Sequence, residues 1–307
     1  MQNIHHYHSN GNLLLTGEYL ISQGAEAIAL PLKKGHTLAV KPIHGKNILW
    51  ESVYNHETEI KVRFTSDDFQ IIQTDNENSA KFIQQVLSKA MDYLPSLSQL
   101  PGYHVKAYHD YPEFLELGCE SALIANIANW FNINPYRFTR DISPGLEHGI
   151  ACARSNKPIL YQLTNKYPDY REINLNLPFK EKIYIVYIDH NSDLSDRGKQ
   201  TQEFHDHHEV LPKIREINKR IIQSRSLEAF ENILLEHDNL LAGLLKEQRL
   251  QERIFQEFPG LIKPLNEWNG ELNLVTWKGE KNELEEYFAP YNIQTIFSWD
   301  ELVKNAK

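Results

Sequence analysis

The most informative absences in this sequence concern cysteine, long apolar runs and basic charge. Only two of the 307 residues are cysteines, Cys119 and Cys152. This number excludes the class of small domains that depend on several disulfides for stability. A reducing cytoplasm is therefore the expected location. No apolar run approaches the roughly 20 residues that a bilayer-spanning helix needs, and no charged start followed by an apolar stretch predicts a signal peptide. We expect no membrane partner.

Basic residues are outnumbered, with 32 Lys and Arg against 41 Asp and Glu, which gives a net charge of −9. A nucleic-acid surface needs clustered Lys and Arg to displace counterions, so the sequence argues against a nucleic-acid partner. The same total says little against a small-molecule site, because local charge can differ from the net charge.

The chain has the composition of a globular protein, with 41% hydrophobic and 24% charged residues. Alternating or continuous apolar segments predict strands, and apolar residues at helical spacing predict helices. The predicted strands include HTLAVKPI, NILWESVY, EIKVRFT, GYHVKAYHDY, EKIYIVYIDHN, ELNLVTWKG and IQTIFSW. The predicted helices are NSAKFIQQVLSKAMDYL, KNELEEYFAPY, a helix from about Glu120 to Phe131, and a long helical region over 200–256 with a break at 224–226.

The N-terminal segment NIHHYHSNGNLLLTGEYL predicts two short strands around the turn Asn10-Gly11, a common hairpin signal. Over the whole chain, strands and helices mix without regular βαβ alternation, which favours an α+β fold with two lobes. The second lobe is expected to begin near Lys180. The predicted domains are therefore 1–179 and 180–307.

Three segments carry candidate chemistry. The first, NGNLLLTGEYLISQGAEAIALPL, joins apolar strands through Gly17-Glu18 and Gly24. The second, EFLELGCESALIANIANW, is a glycine-containing loop that opens an apolar helix, and the third is SPGLEHGIACARSNKPILYQL. Each is weak alone, because a lone glycine loop before a helix is common.

In this order the segments resemble the motifs of the GHMP small-molecule kinases, which include galactokinase, homoserine kinase, mevalonate kinase and phosphomevalonate kinase. Gly17, Glu18 and Tyr19 match the Gly-Glu-His/Tyr pattern, and the second segment falls where the Gly-Leu-Gly-Ser-Ser phosphate loop is expected. The third resembles the Gly-Tyr-Asp-Ile-Ala segment of the mevalonate kinase-like, bacterial GYDIA-type subgroup. A fourth segment, LNEWNGELNLVTW, lies where the family has a glycine-rich motif, and Gly270 is the glycine retained there.

The resemblance covers essentially the whole chain and implies a two-lobed GHMP kinase fold. The N-terminal lobe would resemble ribosomal protein S5 domain 2, and the C-terminal lobe would be ferredoxin-like. It also implies ATP and Mg²⁺ as cofactors and a small-molecule ligand in the inter-lobe cleft, phosphorylated by the ATP γ-phosphoryl group. Phosphoryl transfer depends on positioning and charge stabilisation, so particular residues should decide whether it occurs.

Several of those residues differ from the family pattern. Asn12 occupies the position of a lysine that helps to activate the acceptor hydroxyl, and an amide cannot stabilise a developing alkoxide as an ammonium can. Gly149 occupies the position of the aspartate base and has no group to accept a proton. Glu147, two residues earlier, is the candidate substitute.

The phosphate loop is also changed. It keeps family residues at Leu117, Gly118 and Ser121. It carries changed residues at Glu116, Cys119 and Glu120.

The two glutamates are expected to cap the helix N–H groups in place of a phosphate and to repel a triphosphate. That repulsion is on the order of 4 kcal/mol for unit charges about 4 Å apart at an effective dielectric of 20. A bridging Mg²⁺ would relieve it, and Ser121 and Glu120 are the candidate ligands.

Two hypotheses follow. In the first, the chain is a GHMP kinase-family enzyme of small isoprenoid-type acids with a degenerate site and weak or absent activity. In the second, it is a non-catalytic binding or regulatory pseudokinase that uses the old cleft or partners an active paralogue. The partner expected in either case is a second copy of the chain or a paralogue.

Overall fold

The computed structural model describes residues 3–94, 100–112, 115, 117–165, 167–189, 208–266 and 271–305. The chain divides into two compact units. Unit 1 comprises Met1–Asn12 and Pro31–Ser155, and unit 2 comprises Leu13–Leu30 and Asn156–Lys307. The chain passes from one unit to the other within β1 (His5–Leu14) and within β2 (Ala27–Ile43). The domain boundary predicted near residue 180 stays a prediction.

Unit 1 is a sheet covered by helices. Its strands are β3 (Asn47–Tyr54), β4 (Glu57–Thr65), β5 (Ile71–Thr74) and β6 (Gly102–His109), and with the later part of β2 they lie in the order β5-β4-β3-β6-β2. The β3–β6 pair is parallel and the others are antiparallel, so the sheet is mixed. Its helices are α1 (Glu77–Asp92), α2 (Cys119–Trp130), α3 (Pro135–Ile142) and α4 (Glu147–Cys152).

The apolar faces of these helices form the core of unit 1. Ile83 and Val86 of α1 and Ile124 and Ile127 of α2 are buried in the same cluster as Trp50 of β3. The i, i+3 spacing of each pair places both side chains on the helix face toward the sheet. This packing fixes the start of α2, where the phosphate loop is predicted.

Unit 2 contains two groups of strands. The hairpin β7 (Ile159–Thr164) and β8 (Tyr167–Glu172) pairs with the first residues of β2. A separate antiparallel sheet has the order β10-β11-β9-β12, formed by β9 (Ile183–Tyr187), β10 (Ile262–Pro264), β11 (Leu272–Thr276) and β12 (Ile296–Ser298).

The helices of unit 2 are α5 (Leu211–Gln223), α6 (Leu227–Leu245), α7 (Leu250–Ile254), α8 (Lys281–Phe288) and α9 (Trp299–Leu302). The predicted break at 224–226 is confirmed. The Ser226 side chain accepts a hydrogen bond from the Ala229 N–H and caps α6. The predicted α+β class is also confirmed. Within the described ranges, no helix has the length and apolar character of a membrane span.

The predicted hairpin at Asn10-Gly11 is wrong, because β1 runs straight through both residues. Long-range packing overrides the local turn signal. The Asn10 side chain donates hydrogen bonds to the carbonyls of Cys152 and Ser155, at 3.0 and 2.8 Å. A Cβ on Gly11 would lie 2.3 Å from the Leu117 carbonyl oxygen, so glycine serves close packing here.

Candidate functional site

The end of β1 is bonded to the loop that precedes α2. Asn12 is only 4% exposed, and its backbone N–H donates to the Leu117 carbonyl at 3.1 Å. Its side-chain amide donates to the Ser121 hydroxyl at 2.8 Å. The position that holds a lysine in the GHMP pattern therefore contacts the first turn of α2 directly.

Gly118 is the residue that allows this approach. It forms the N-cap of α2 with φ of 75°, in the left-handed region that glycine adopts without strain. A Cβ on this residue would lie 2.2 Å from the Asn12 amide nitrogen. Backbone conformation and packing thus both require glycine at the retained loop position.

The Ser121 hydroxyl makes two hydrogen bonds inside the protein. It donates to the Gly118 carbonyl at 3.0 Å and accepts from the Asn12 amide at 2.8 Å. A hydroxyl has one proton to donate, and here that proton is already used, so the hydroxyl cannot donate to a phosphate without breaking the bond to Gly118. Ser121 is also buried.

Gly149 of α4 packs against the same pair. A Cβ on Gly149 would lie 2.4 Å from the Ser121 hydroxyl oxygen and 2.9 Å from the Asn12 amide nitrogen. The structure therefore brings together Asn12, Gly118, Ser121 and Gly149 within unit 1, although they come from three separate segments. Their packing leaves no room for a side chain at position 149.

Glu120 does not cap α2 as expected. Its carboxylate accepts a hydrogen bond from the hydroxyl of Ser143, which follows α3, rather than from the α2 N–H groups. The expected cap by Glu120 is therefore wrong, because α3 supplies a nearby hydroxyl donor. Glu116 lies outside the described residues.

Glu147, the candidate substitute base, is buried in the turn that opens α4. Its Oε1 accepts from Arg140 Nε at 3.2 Å, and its Oε2 accepts from the Gly145 N–H at 2.9 Å. Both carboxylate oxygens thus stabilise the connection between α3 and α4, which is a structural role. No sequence motif indicated the Arg140 contact.

His148 lies beside Glu147 and was not identified from the sequence. Burial lowers its pKa to about 4, so the ring is neutral near pH 7. Its Nδ1 lies 3.0 Å from the Gly145 carbonyl, which assigns the proton to Nδ1. The neutral ring reinforces the same turn.

The Gly17-Glu18-Tyr19 segment lies in unit 2, where Glu18 is 2% exposed. Lys263 of β10, which is fully buried, donates from Nζ to Glu18 Oε1 at 2.5 Å. Burial raises the pKa of Glu18, while Lys263 acts in the opposite direction. Tyr19 has a left-handed backbone conformation, with φ of 66°.

Two residues of α6 complete this buried charge cluster. His237 Nε2 accepts the Gly17 N–H at 3.3 Å, and burial holds the pKa of His237 well below its usual value. Asp238 lies 3.8 Å from Lys263 Nζ, and burial raises the pKa of Asp238 to about 7. No motif pointed to Lys263, His237 or Asp238. A lysine inside the apolar run LIKPL was the one available signal.

The remaining sequence candidates add no metal centre. Gly270 lies outside the described residues. Cys119 opens α2 and is half-buried. Within the described ranges, no three His, Cys, Asp or Glu side chains are placed to hold a metal ion. The proposed Mg²⁺ ligands, Ser121 and Glu120, are each engaged by another side chain.

Comparison with known proteins gives a structural likeness only. No family model matches the sequence, and no curated protein matches it significantly. The mevalonate kinase of Methanococcus jannaschii is 15% identical, with 100% of this chain and 99% of that chain covered and a TM-score of 0.69. The phosphomevalonate kinase of Streptococcus pneumoniae, in complex with phosphomevalonate and AMPPNP, is 12% identical, with 96% and 99% covered and a TM-score of 0.65.

A Lactococcus lactis galactokinase complexed with galactose is 11% identical, with 99% of this chain and 94% of that chain covered and a TM-score of 0.66. At such identities the likeness concerns the fold, and it extends over nearly the full length of each protein. The predicted resemblance is confirmed at that level: this chain shares its fold with these mevalonate, phosphomevalonate and galactose kinases.

Proposed function

We propose that this chain is a GHMP-fold protein in which ATP-dependent phosphorylation of a small molecule is weak or lost. The observation that carries the proposal is the Asn12–Ser121 hydrogen bond of 2.8 Å, with Gly149 packed against both residues. The three positions that would supply a lysine, a phosphate-loop serine and a base are instead joined in one neutral contact.

The groups that would activate the acceptor hydroxyl are missing. Asn12 carries no charge to stabilise an alkoxide, and Gly149 carries no base. Glu147 is the nearest carboxylate in the same segment, but Arg140 and the Gly145 N–H already bond both of its oxygens. These contacts support a structural role for Glu147.

The nucleotide side is also a poor fit for Mg-ATP. Mg²⁺ requires oxygen ligands in near-octahedral geometry, and the Ser121 hydroxyl and Glu120 Oε1 already make hydrogen bonds to other side chains. The charge of Glu120 adds repulsion toward a triphosphate. We therefore derive no catalytic step through Mg-ATP.

A non-catalytic binding role is the second candidate, because the apolar framework around α2 is well packed while the reactive positions differ. Such a role would use a ligand that is less anionic than ATP. Its expected signature is ligand binding without any nucleotide requirement.

A coupled assay of ADP release tests the proposal with mevalonate, phosphomevalonate and galactose as acceptors. The Methanococcus jannaschii mevalonate kinase is the positive control for mevalonate. We expect turnover far below the roughly 1–100 s⁻¹ typical of kinases. Turnover within that range with any of these acceptors would contradict the proposal. Strong recovery in an Asn12→Lys/Gly149→Asp variant would argue for a recently disabled kinase over a non-catalytic binding protein, and it would contradict the close packing at Gly149.

A further inference from the structure

Unit 2 carries a surface pocket whose residues take no part in the candidate site. The pocket has a volume of about 470 Å³, within the range of small-molecule sites. It lies between α6, α7 and the segment that leads into β10. The lining residues used below are Glu231, Asn232, Arg249, Gln251, Glu252 and Gln256.

The pocket is held open by internal hydrogen bonds. The Gln251 amide donates to the Gly260 carbonyl at 2.8 Å, and its oxygen accepts from the Ile262 N–H at 3.1 Å. These bonds tie α7 to Gly260 and to the first residue of β10. The cavity is therefore formed before any ligand arrives, which lowers the entropic cost of binding.

Arg249 supplies a cation to the pocket. Its side chain is 13% exposed, and Nε and Nη2 both donate to Glu252 Oε1, at 3.2 and 2.7 Å. Within the described part of the chain, Nη1 has no hydrogen-bond partner. A guanidinium with one free edge is well suited to a carboxylate.

Glu231 supplies the opposite charge. Its Oε1 accepts from the Thr276 hydroxyl at 2.5 Å, which fixes the side chain on α6. Its other carboxylate oxygen has no hydrogen-bond partner among the residues that the structure describes. That oxygen is an acceptor suited to an ammonium group.

We propose that this pocket binds a small zwitterion of the amino-acid type, with its carboxylate on Arg249 and its ammonium on Glu231. A polyanion fits poorly, because the carboxylates of Glu231 and Glu252 outnumber the one guanidinium. A simple amine would pair with Glu231 but would leave Nη1 of Arg249 without a partner. The amide of Asn232 remains to bond the rest of the ligand, whereas the Gln256 amide already donates to the Glu252 carbonyl at 2.9 Å.

Thermal unfolding of the full chain with single L-amino acids, each in excess, tests the proposal. At a concentration near ten times Kd, a binding amino acid should raise the Tm by roughly 2–4 °C. Acetate and methylammonium, which each carry only one of the two charges, should give no comparable shift. The affinity of the best amino acid is then measured by calorimetry.

Glu231→Gln and Arg249→Gln should each weaken that affinity about tenfold or more. Asn232→Trp places a large side chain at an exposed position on the pocket wall and should abolish binding. This variant keeps the proposal testable if Arg249→Gln does not fold. Glu228→Gln is the matched control, because Glu228 lies on α6 outside the pocket and should leave affinity unchanged. The proposal is overturned if no amino acid binds, if acetate or methylammonium binds as tightly, or if Asn232→Trp leaves affinity unchanged.

Discussion

The side-chain amide of Asn12 donates a hydrogen bond of 2.8 Å to the hydroxyl of Ser121, across 109 residues of sequence. Both residues are buried, and Gly118 and Gly149 approach the pair closely enough that neither has space for a Cβ. The contact is neutral and closely packed. The first two predictions test how tightly it is packed.

Gly149→Ala should destabilise the protein by about 1–3 kcal/mol, because the new methyl group would lie 2.4 Å from the Ser121 hydroxyl. Chemical denaturation measures the change. Gly243→Ala is the control, since no described atom lies within 4 Å of a Cβ built on that exposed helix position. It should be neutral or stabilise by up to about 1 kcal/mol. Equal effects of the two variants would argue against close packing at Gly149.

Asn12→Lys should also destabilise rather than restore a kinase. The ammonium would enter a site that is 4% exposed, where the contacts of Asn12 are the uncharged Ser121 hydroxyl and Leu117 carbonyl. An uncompensated buried charge costs about 3–5 kcal/mol, seen as a lower denaturation midpoint. His6→Lys, at an exposed position of the same strand, should change stability by less than about 0.5 kcal/mol. An Asn12→Lys protein of native stability would show that the site is more open than the structure indicates.

Lys263→Met should cost about 3–5 kcal/mol, because it leaves Glu18 buried without its cation. The double variant Lys263→Met/Glu18→Gln should recover part of that loss, since Glu18 is no longer a buried charge without a partner, although Asp238 also loses its neighbouring cation. Denaturation of the wild type, both single variants and the double variant gives the coupling energy. Additive losses would mean that the 2.5 Å contact contributes little.

Asp238 should make stability depend on pH. Its folded-state pKa is raised from 3.8 to about 7 by burial, with Lys263 opposing and Glu18 reinforcing the shift. Below pH 3.8 Asp238 is protonated in both the folded and the unfolded protein. Its full contribution to the stability of the folded protein is present there. As pH rises, the unfolded chain ionises first, so stability falls until the pH passes about 7, by about 1.4 kcal/mol per unit of pKa difference.

Asp238→Asn should flatten this decline between about pH 4 and 7, whatever its effect at a single pH. Asp67→Asn, at an exposed position, is the control and should keep the wild-type slope. Arg249 and Glu252 also act on Asp238, in opposite directions, so neither is altered in the comparison. An unchanged slope in Asp238→Asn would show that Asp238 does not titrate in this range.

Local patterns predicted most of the regular structure. The spacing of Ile83, Val86 and Leu87 gave α1, and Ser226 gave the start of α6, because both signals act over one or two helical turns. The hairpin predicted at Asn10-Gly11 was wrong although its signal is also local. The contacts that keep β1 straight there are long-range and come from Leu117, Cys152 and Ser155.

The candidate site was only partly predictable for the same reason. Resemblance to a family pattern identified Asn12, Gly118 and Gly149, but not the contact of Asn12 with Ser121. Glu18 was identified without Lys263, which lies 245 residues away in sequence. Which partner reaches a polar side chain depends on tertiary packing, and no spacing rule encodes it.

Calorimetric titration of the wild-type protein with Mg-ATP tests the central claim most directly, with the Methanococcus jannaschii mevalonate kinase as positive control. With Ser121 and Glu120 engaged internally and Asn12 in place of a lysine, we expect no saturable binding up to millimolar nucleotide. A submillimolar Kd for Mg-ATP would contradict the claim that this site has lost its phosphate-binding role.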